Sequence, residues 1–219
     1  MEKTFHKENF LKIDEEKRDR IFQTAISEFA SQGYNATNIN IIAKKAGISI
    51  GSLYSYFGSK EDLFLAMAEK GVQILNRAVE EMLSVDGTLE ETIARLLWLT
   101  VRYTKEHPDL TKIYLNLSTE ELTPLSERLA QKMEISFKNY YHTMLEKARD
   151  RGEIPEDSDI DLCAFFIDNQ VMMLQYSLST NYYARRLEEY LGERELEDLI
   201  RGMLSHLIAS VCHRETKAT

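Results

Sequence analysis

Apolar residues recur three and four positions apart along most of the chain, and no sustained alternation of the kind that marks strands is present. Ile21, Ala25, Ile26, Phe29 and Ala30 fall on one face of a helix predicted over residues 14–32. Asp14, Glu15 and Glu16 suit its positive start, and Gly33 is a natural left-handed stop. Thr37 is the expected N-cap of a short helix, 38–45, with Ile39, Ile42, Ala43 and Ala46 inward. Gly47 then supplies a turn, Ile48 plugs it, and Ser49 caps a third helix, 50–56, with Leu53 and Phe57 inward and Gly58 at its end. Ser59 and Asp62 have the spacing of a capping box and open a long helix, 60–83, of about 36 Å.

Beyond Asp86-Gly87-Thr88 the helical period resumes. Ile93, Leu96, Leu97, Thr100 and Val101 mark a helix over 89–106, with Trp98 beside that face. Pro108 suits the first turn of another, about 108–118, and Thr123-Pro124 opens one that runs to about Arg151 with Leu129, Met133, Phe137, Tyr140, Tyr141, Met144 and Ala148 at helical spacing. A helix over about 158–184, apolar around most of its circumference, and a last one over about 193–212 complete an all-α fold of about nine helices. The expected division is a three-helix domain, 1–60, and a larger helical domain, 61–219, linked by the 60–83 helix. The last two helices carry more apolar surface than one face needs, which predicts a homodimer through 158–184 and 193–212 as a four-helix bundle.

Composition narrows the class. Apolar residues are 43% and charged residues 29% of 219, and three prolines and nine glycines favour long helices. No apolar run approaches the roughly 18 residues of a membrane span, and the first residues lack a signal-peptide core, so a cytoplasmic protein is expected. Cys163 and Cys212 sit among apolar residues and fit a reducing compartment. The net charge of −9 lies wholly beyond residue 70, because residues 1–70 hold ten basic and ten acidic side chains. An acidic surface there is expected to face away from nucleic acid. Lys3, Lys7 and Lys12, in a polar first segment, are either phosphate contacts or a solvated tail.

Two short helices around a glycine turn, supported by a longer one, read as a helix-turn-helix whose second helix enters a major groove. Phe29, Gly33, Tyr34, Thr37, Ile42-Ala43, Ala46-Gly47-Ile48-Ser49, Gly51, Leu53-Tyr54, Tyr56-Phe57 and Ser59-Lys60-Glu61-Asp62-Leu63 resemble the TetR family of bacterial transcriptional regulators over roughly the first 65 residues. The resemblance implies a double-stranded DNA operator as partner. It also implies that Thr37, Tyr54, Tyr56 and Lys60 contact phosphates and that Ser49, Ile50, Gly51, Ser52 and Ser55 form the exposed edge of the recognition helix. Lys45 is a further candidate phosphate contact, with a solvated role as its rival. Many members carry a polar residue where Ile50 stands. Here an apolar contact with a thymine methyl is expected, and with only small hydroxyls beside it, shape and backbone contacts should carry much of the specificity.

The larger domain matches the family only in helix pattern, and the resemblance implies that it binds a small-molecule inducer. Trp98, Tyr103, Tyr114, Phe137, Tyr141, Phe166, Gln170, Met173 and Tyr176 are candidates for that pocket, against an ordinary core role for most of them. No catalytic constellation, metal-spaced histidine pair or phosphate loop is present, so no cofactor and no enzymatic activity are expected. Asp157, Asp159 and Asp161 read as helix-start acids, and His142 as a packed histidine. The expected function is a ligand-released repressor. An activator or a partner-controlled regulator of the same fold is the alternative, and an all-α enzyme or carrier a distant one.

Overall fold

Helices follow one another without a strand among the described residues, 5–117 and 123–212, of this computed structural model. Eleven are present there. The first four are α1 (Glu8–Leu11), α2 (Glu15–Ala36), α3 (Ile39–Lys45) and α4 (Ile50–Tyr56). Asp14 caps α2, its carboxylate accepting the Lys17 N–H at 2.7 Å. Gly33 interrupts α2 as its position predicts, with φ +75° and ψ 167°, and residues 34–36 form a last turn beyond the kink. The α3–α4 turn closes in the Schellman pattern: the Gly47 N–H reaches the Lys44 carbonyl at 3.2 Å and the Ile48 N–H reaches Ala43 at 3.0 Å, with φ +70° at Gly47. Ser49 caps α4, accepting the Ser52 N–H at 3.0 Å.

Next come α5 (Lys60–Leu83), α6 (Leu89–Glu106), α7 (Pro108–Leu117) and α8 (Thr123–Asp150). Thr88 and Glu91 form a reciprocal capping box in front of α6, Glu91 N–H to Thr88 Oγ1 at 3.2 Å and Thr88 N–H to Glu91 Oε2 at 2.9 Å. The side chains of Leu129 and Met133, expected on the α8 stripe, lie outside the described residues, as does the cap expected of Thr123-Pro124.

The expected 158–184 helix is corrected. It is two helices, α9 (Ile160–Ser179) and α10 (Asn181–Leu191). Asp159 caps α9, accepting the Leu162 N–H at 3.0 Å. Thr180 takes an extended backbone, φ −131° and ψ 141°, ends α9 by donating its N–H to the Tyr176 carbonyl, and caps α10 with its hydroxyl. The last helix, α11, spans Leu196–Cys212 and starts three residues later than expected.

Contacts divide the chain into two units whose bounds differ from the expected 1–60 and 61–219. One comprises Met1–Ile74 with His107–Gln131, the other Leu75–Glu106 with Lys132–Thr219. The divisions fall inside α5 and α8. In the first unit α7 packs on α2, and Gly71 of α5 lies so close to Leu110 that a Cβ there would sit 3.2 Å from its Cδ2. Two aromatic groups hold this unit. Phe10 sits 5.1 Å from Phe22 and 4.8 Å from Phe57 between ring centroids, and Phe29, Tyr34 and Phe64 pack mutually at 5.1–6.0 Å. The second unit has one apolar core, built from Leu89, Ile93 and Leu97 of α6, Leu145 and Ala148 of α8, Ile167 and Leu174 of α9, and Ile200 and Leu207 of α11.

Candidate nucleic-acid interface

The inner side of α4 is fixed by Leu53, buried to 1%, with Phe57 just beyond the helix end. Helical geometry then presents Ile50, Gly51 and Tyr54 together on the outer side, where Ile50 is 37% and Tyr54 47% exposed. Ser49 is exposed beside them, its hydroxyl 2.8 Å from that of Ser52. Ser55 donates its hydroxyl to the Ser52 carbonyl at 2.7 Å, so the two inner serines are partly occupied by their own helix. A Cβ built at Gly51 meets only Ser49 Oγ at 3.8 Å, so the fold does not require glycine there.

Thr37 is corrected in its role as cap. Asn38 is the N-cap of α3, its side chain accepting the Asn40 N–H at 2.9 Å. Thr37 is buried to 4% and donates its hydroxyl inward to the Gly33 carbonyl at 2.6 Å, with the Glu28 carbonyl at 3.3 Å. This interior hydroxyl is thus bonded to carbonyls of the preceding helix, the Glu28 carbonyl accepting from Ser31 as well. Its hydroxyl is turned away from any phosphate.

Tyr56 also turns inward. Its ring is 93% covered and lies 5.9 Å from Phe10, so of the two tyrosines only Tyr54 stands on the open edge. Lys45 reaches the carboxylate of the buried Glu28 at 2.5 Å, tying α3 to α2 and giving a desolvated acid its counter-charge. Lys60 donates to the Asn35 carbonyl at 3.1 Å and lies 4.9 Å from the Tyr34 ring centroid. Partial burial lowers its pKa, while burial and then Glu61 and Asp62 raise that of Tyr34.

Other cations in this unit follow the same rule. The Arg20 Nε donates to the Ala46 carbonyl at 3.1 Å at the end of α3, and the Lys7 ammonium donates to the Tyr54 carbonyl at 2.9 Å near the end of α4. Positive groups thus sit on the negative ends of the short helices. Sequence reasoning placed Lys7 in a solvated tail, with a phosphate contact as its rival, and missed Asn38 and Arg20. The asparagine one place past Thr37 was a visible signal, whereas the partners of Lys7 and Arg20 lie 47 and 26 residues away.

The described clefts bring together two pairs of the inducer candidates. Tyr114 belongs to the first unit and the others to the second. Trp98, 42% exposed, and Phe166, 44% exposed, face outward, while Tyr103 and Tyr176 are buried and Met173 is half-buried. Phe137 and Tyr141 line a tight apolar cleft of about 20 Å³ with Val79, Met82, Leu96, Tyr140 and Met144. Phe166 and Gln170 line an open groove of about 370 Å³ with Met203, His206 and Leu207 of α11. Burial raises the Tyr103 pKa well above that of an ordinary phenol. His142 hydrogen-bonds Asp161 at 3.0 Å, a tie between α8 and the start of α9.

No group of three or more candidate metal ligands occurs among the described residues, and no described helix is long and apolar enough to cross a membrane. Residues 21–67 match the family model for bacterial regulatory proteins of the tetR family. The chain is 28% identical over 175 residues to the uncharacterised HTH-type transcriptional regulator YezE of Bacillus subtilis, a match covering 78% of this chain and 90% of that protein. It is 29% identical over 150 residues to the fatty acid metabolism regulator protein of the same organism, covering 65% and 73%. Its fold is similar to the crystal structure of the regulator FadR from Bacillus subtilis in complex with stearoyl-CoA, at a TM-score of 0.70 and 22% identity over 88% of this chain and 98% of that one. The relatives are regulators and not enzymes. With the Schellman turn between α3 and α4, the capped α4 and its open edge in place, residues 21–67 form a region similar to the DNA-binding part of bacterial regulatory proteins of the tetR family, and the chain resembles HTH-type transcriptional regulators.

Proposed function

We propose that the chain acts in the cytoplasm as a homodimeric repressor that a small molecule releases from its operator. The observation that carries the DNA half is the open edge of α4, where Ile50, Gly51 and Tyr54 are exposed together. Ile50 would meet a thymine methyl, Gly51 would let the backbone approach the duplex, and Tyr54 and Ser49 would bond phosphates. Ser52 and Ser55 would contribute smaller polar contacts from the edge. Lys60 keeps donors beyond the one given to Asn35 and can still meet a phosphate. The backbone at Thr37 and Asn38, rather than the Thr37 hydroxyl, is the part of that helix start available to a phosphate.

The dimer half rests on α9 and α11. Leu162 is 63% and Phe165 67% exposed on α9, beside the groove that Phe166 shares with Met203 and Leu207. An apolar surface of this kind is expected to be covered by a second copy. Two recognition helices would then meet half-sites about one helical turn of DNA apart, roughly 34 Å. The inducer would act in the second unit, and α5, inside which one division between the units falls, is the covalent path that begins directly after the reader. Its effect is bounded by its difference in affinity between the two states.

The test is selection of bound duplexes from a random-sequence pool, followed by titration of the complex with candidate inducers. Enrichment of an inverted repeat is the expected result, and a pool that stays unenriched would remove the reading. Long-chain acyl-CoA is the first class to titrate, because a protein of this fold crystallised with stearoyl-CoA. Release of the duplex by stearoyl-CoA, with none by free CoA, would assign that class here.

A further inference from the structure

We infer that Lys7 is a positioning residue of the DNA reader, closing the C-terminal end of α4 and fixing Tyr54 at the open edge. This rests on the reading of α4 as the recognition helix. A helix end leaves its last carbonyls without intrahelical partners. In α4 the Phe57 N–H turns back to Leu53, so the carbonyls of the last turn must be met from outside. Lys7 meets two of them. Its backbone N–H donates to the Tyr56 carbonyl at 2.8 Å and its ammonium to the Tyr54 carbonyl at 2.9 Å.

The sequence of α4 makes this capping consequential. Ile50–Tyr56 reads IGSLYSY, seven residues with a glycine and two serines, no acid in the first turn and no base in the last. Such a segment is a weak helix former with no charge of its own to complement the dipole. Lys7 brings the missing positive group from another part of the chain. Neighbouring side chains hold it there: Phe5 and Phe10 are buried on either side, Phe10 lies 4.8 Å from Phe57 and 5.9 Å from Tyr56, and the Phe10 N–H returns to the Lys7 carbonyl at 3.0 Å. The short α1 segment is therefore an anchored clasp on the end of α4, and the exposed Lys7 ammonium lies on the carbonyl of the exposed tyrosine.

Positioning and direct phosphate contact make different predictions, because a phosphate contact releases counterions and a helix cap does not. Lys7→Met keeps the aliphatic stem and removes the ammonium. Its affinity for a duplex selected by the wild-type protein should fall about three- to tenfold, more than its affinity for an unrelated duplex. The log–log salt dependence should stay unchanged. In the free protein, amide exchange in residues 50–57 should speed up by a similar factor while the thermal midpoint holds, and Lys7→Arg should restore both. A salt slope lower by about 0.9 would overturn the proposal in favour of a phosphate contact. Unchanged exchange and affinity would leave Lys7 with no role at all. The exchange arm needs no DNA, so failure of the clasp is distinct from failure of the DNA reading, which would show as no duplex selected by the wild-type protein.

Discussion

Gly51 has open space where its side chain would be, yet it lies within a seven-residue helix that its flexibility weakens. Replacing it with alanine should therefore stabilise the isolated protein by up to about 1 kcal/mol, since the helical backbone accepts a Cβ and loses less freedom on folding. If the backbone approaches the duplex closely at this point, Gly51→Ala should bind a selected duplex at least tenfold more weakly. Thermal melting and a binding titration on the same sample separate the two effects, and a variant both more stable and equally tight would deny the close approach. Around Gly51, local features were legible in the sequence: the Ser49 cap, the Gly47 turn and the inward Leu53 all depend on neighbours within four residues. What was not legible depends on distant partners. The charge of Lys45 is matched to Glu28, and the face of Tyr56 is chosen by Phe10, from segments that spacing alone does not bring together.

Helix lengths were readable almost to the residue where a cap and a break coincide, as at Lys60, Leu89 and Pro108. The failure at Thr180 has a physical reason. Apolar and aromatic residues continue through Tyr176, Leu178, Tyr182 and Tyr183, so periodicity carries on across a position whose hydroxyl caps a new helix. The result is α10, an amphipathic segment packed on α9 with no buried residue of its own. Between α8 and α9 a different tie operates. Burial raises the pKa of Asp168 on α9, while a hydrogen bond from Tyr141 on α8 opposes that shift. The folded chain thus holds this proton to higher pH than the unfolded chain. It binds more protons in the window above the ordinary aspartate value of about 3.9, and the contribution of Asp168 to stability falls as pH rises through that window. Asp168→Asn, which can still accept from Tyr141, should melt above the wild type at pH 7, with the difference shrinking toward pH 4. A variant less stable than wild type at pH 7 would show that the ionised carboxylate is needed.

The first 70 residues balance in charge, and several of their cations bond helix ends or buried acids, so the DNA-reading unit has little basic field with which to steer toward nucleic acid. In the proposed dimer, avidity from pairing would supply what long-range attraction does not. Leu162→Asp on the open face of α9 should convert a dimer into a monomer in sedimentation velocity and cost most of the affinity for a two-half-site duplex. The fold of each chain should be preserved, because this side chain is not in the core. A dimer unaffected by that charge would move the interface away from α9. Trp98, a candidate for the ligand cavity and the only tryptophan in the chain, is 42% exposed on α6. The tryptophan fluorescence of the protein therefore comes from one partly wetted indole: its native emission should already be red-shifted, a dissolved quencher should reach it, and a change of colour should be a poor measure of unfolding.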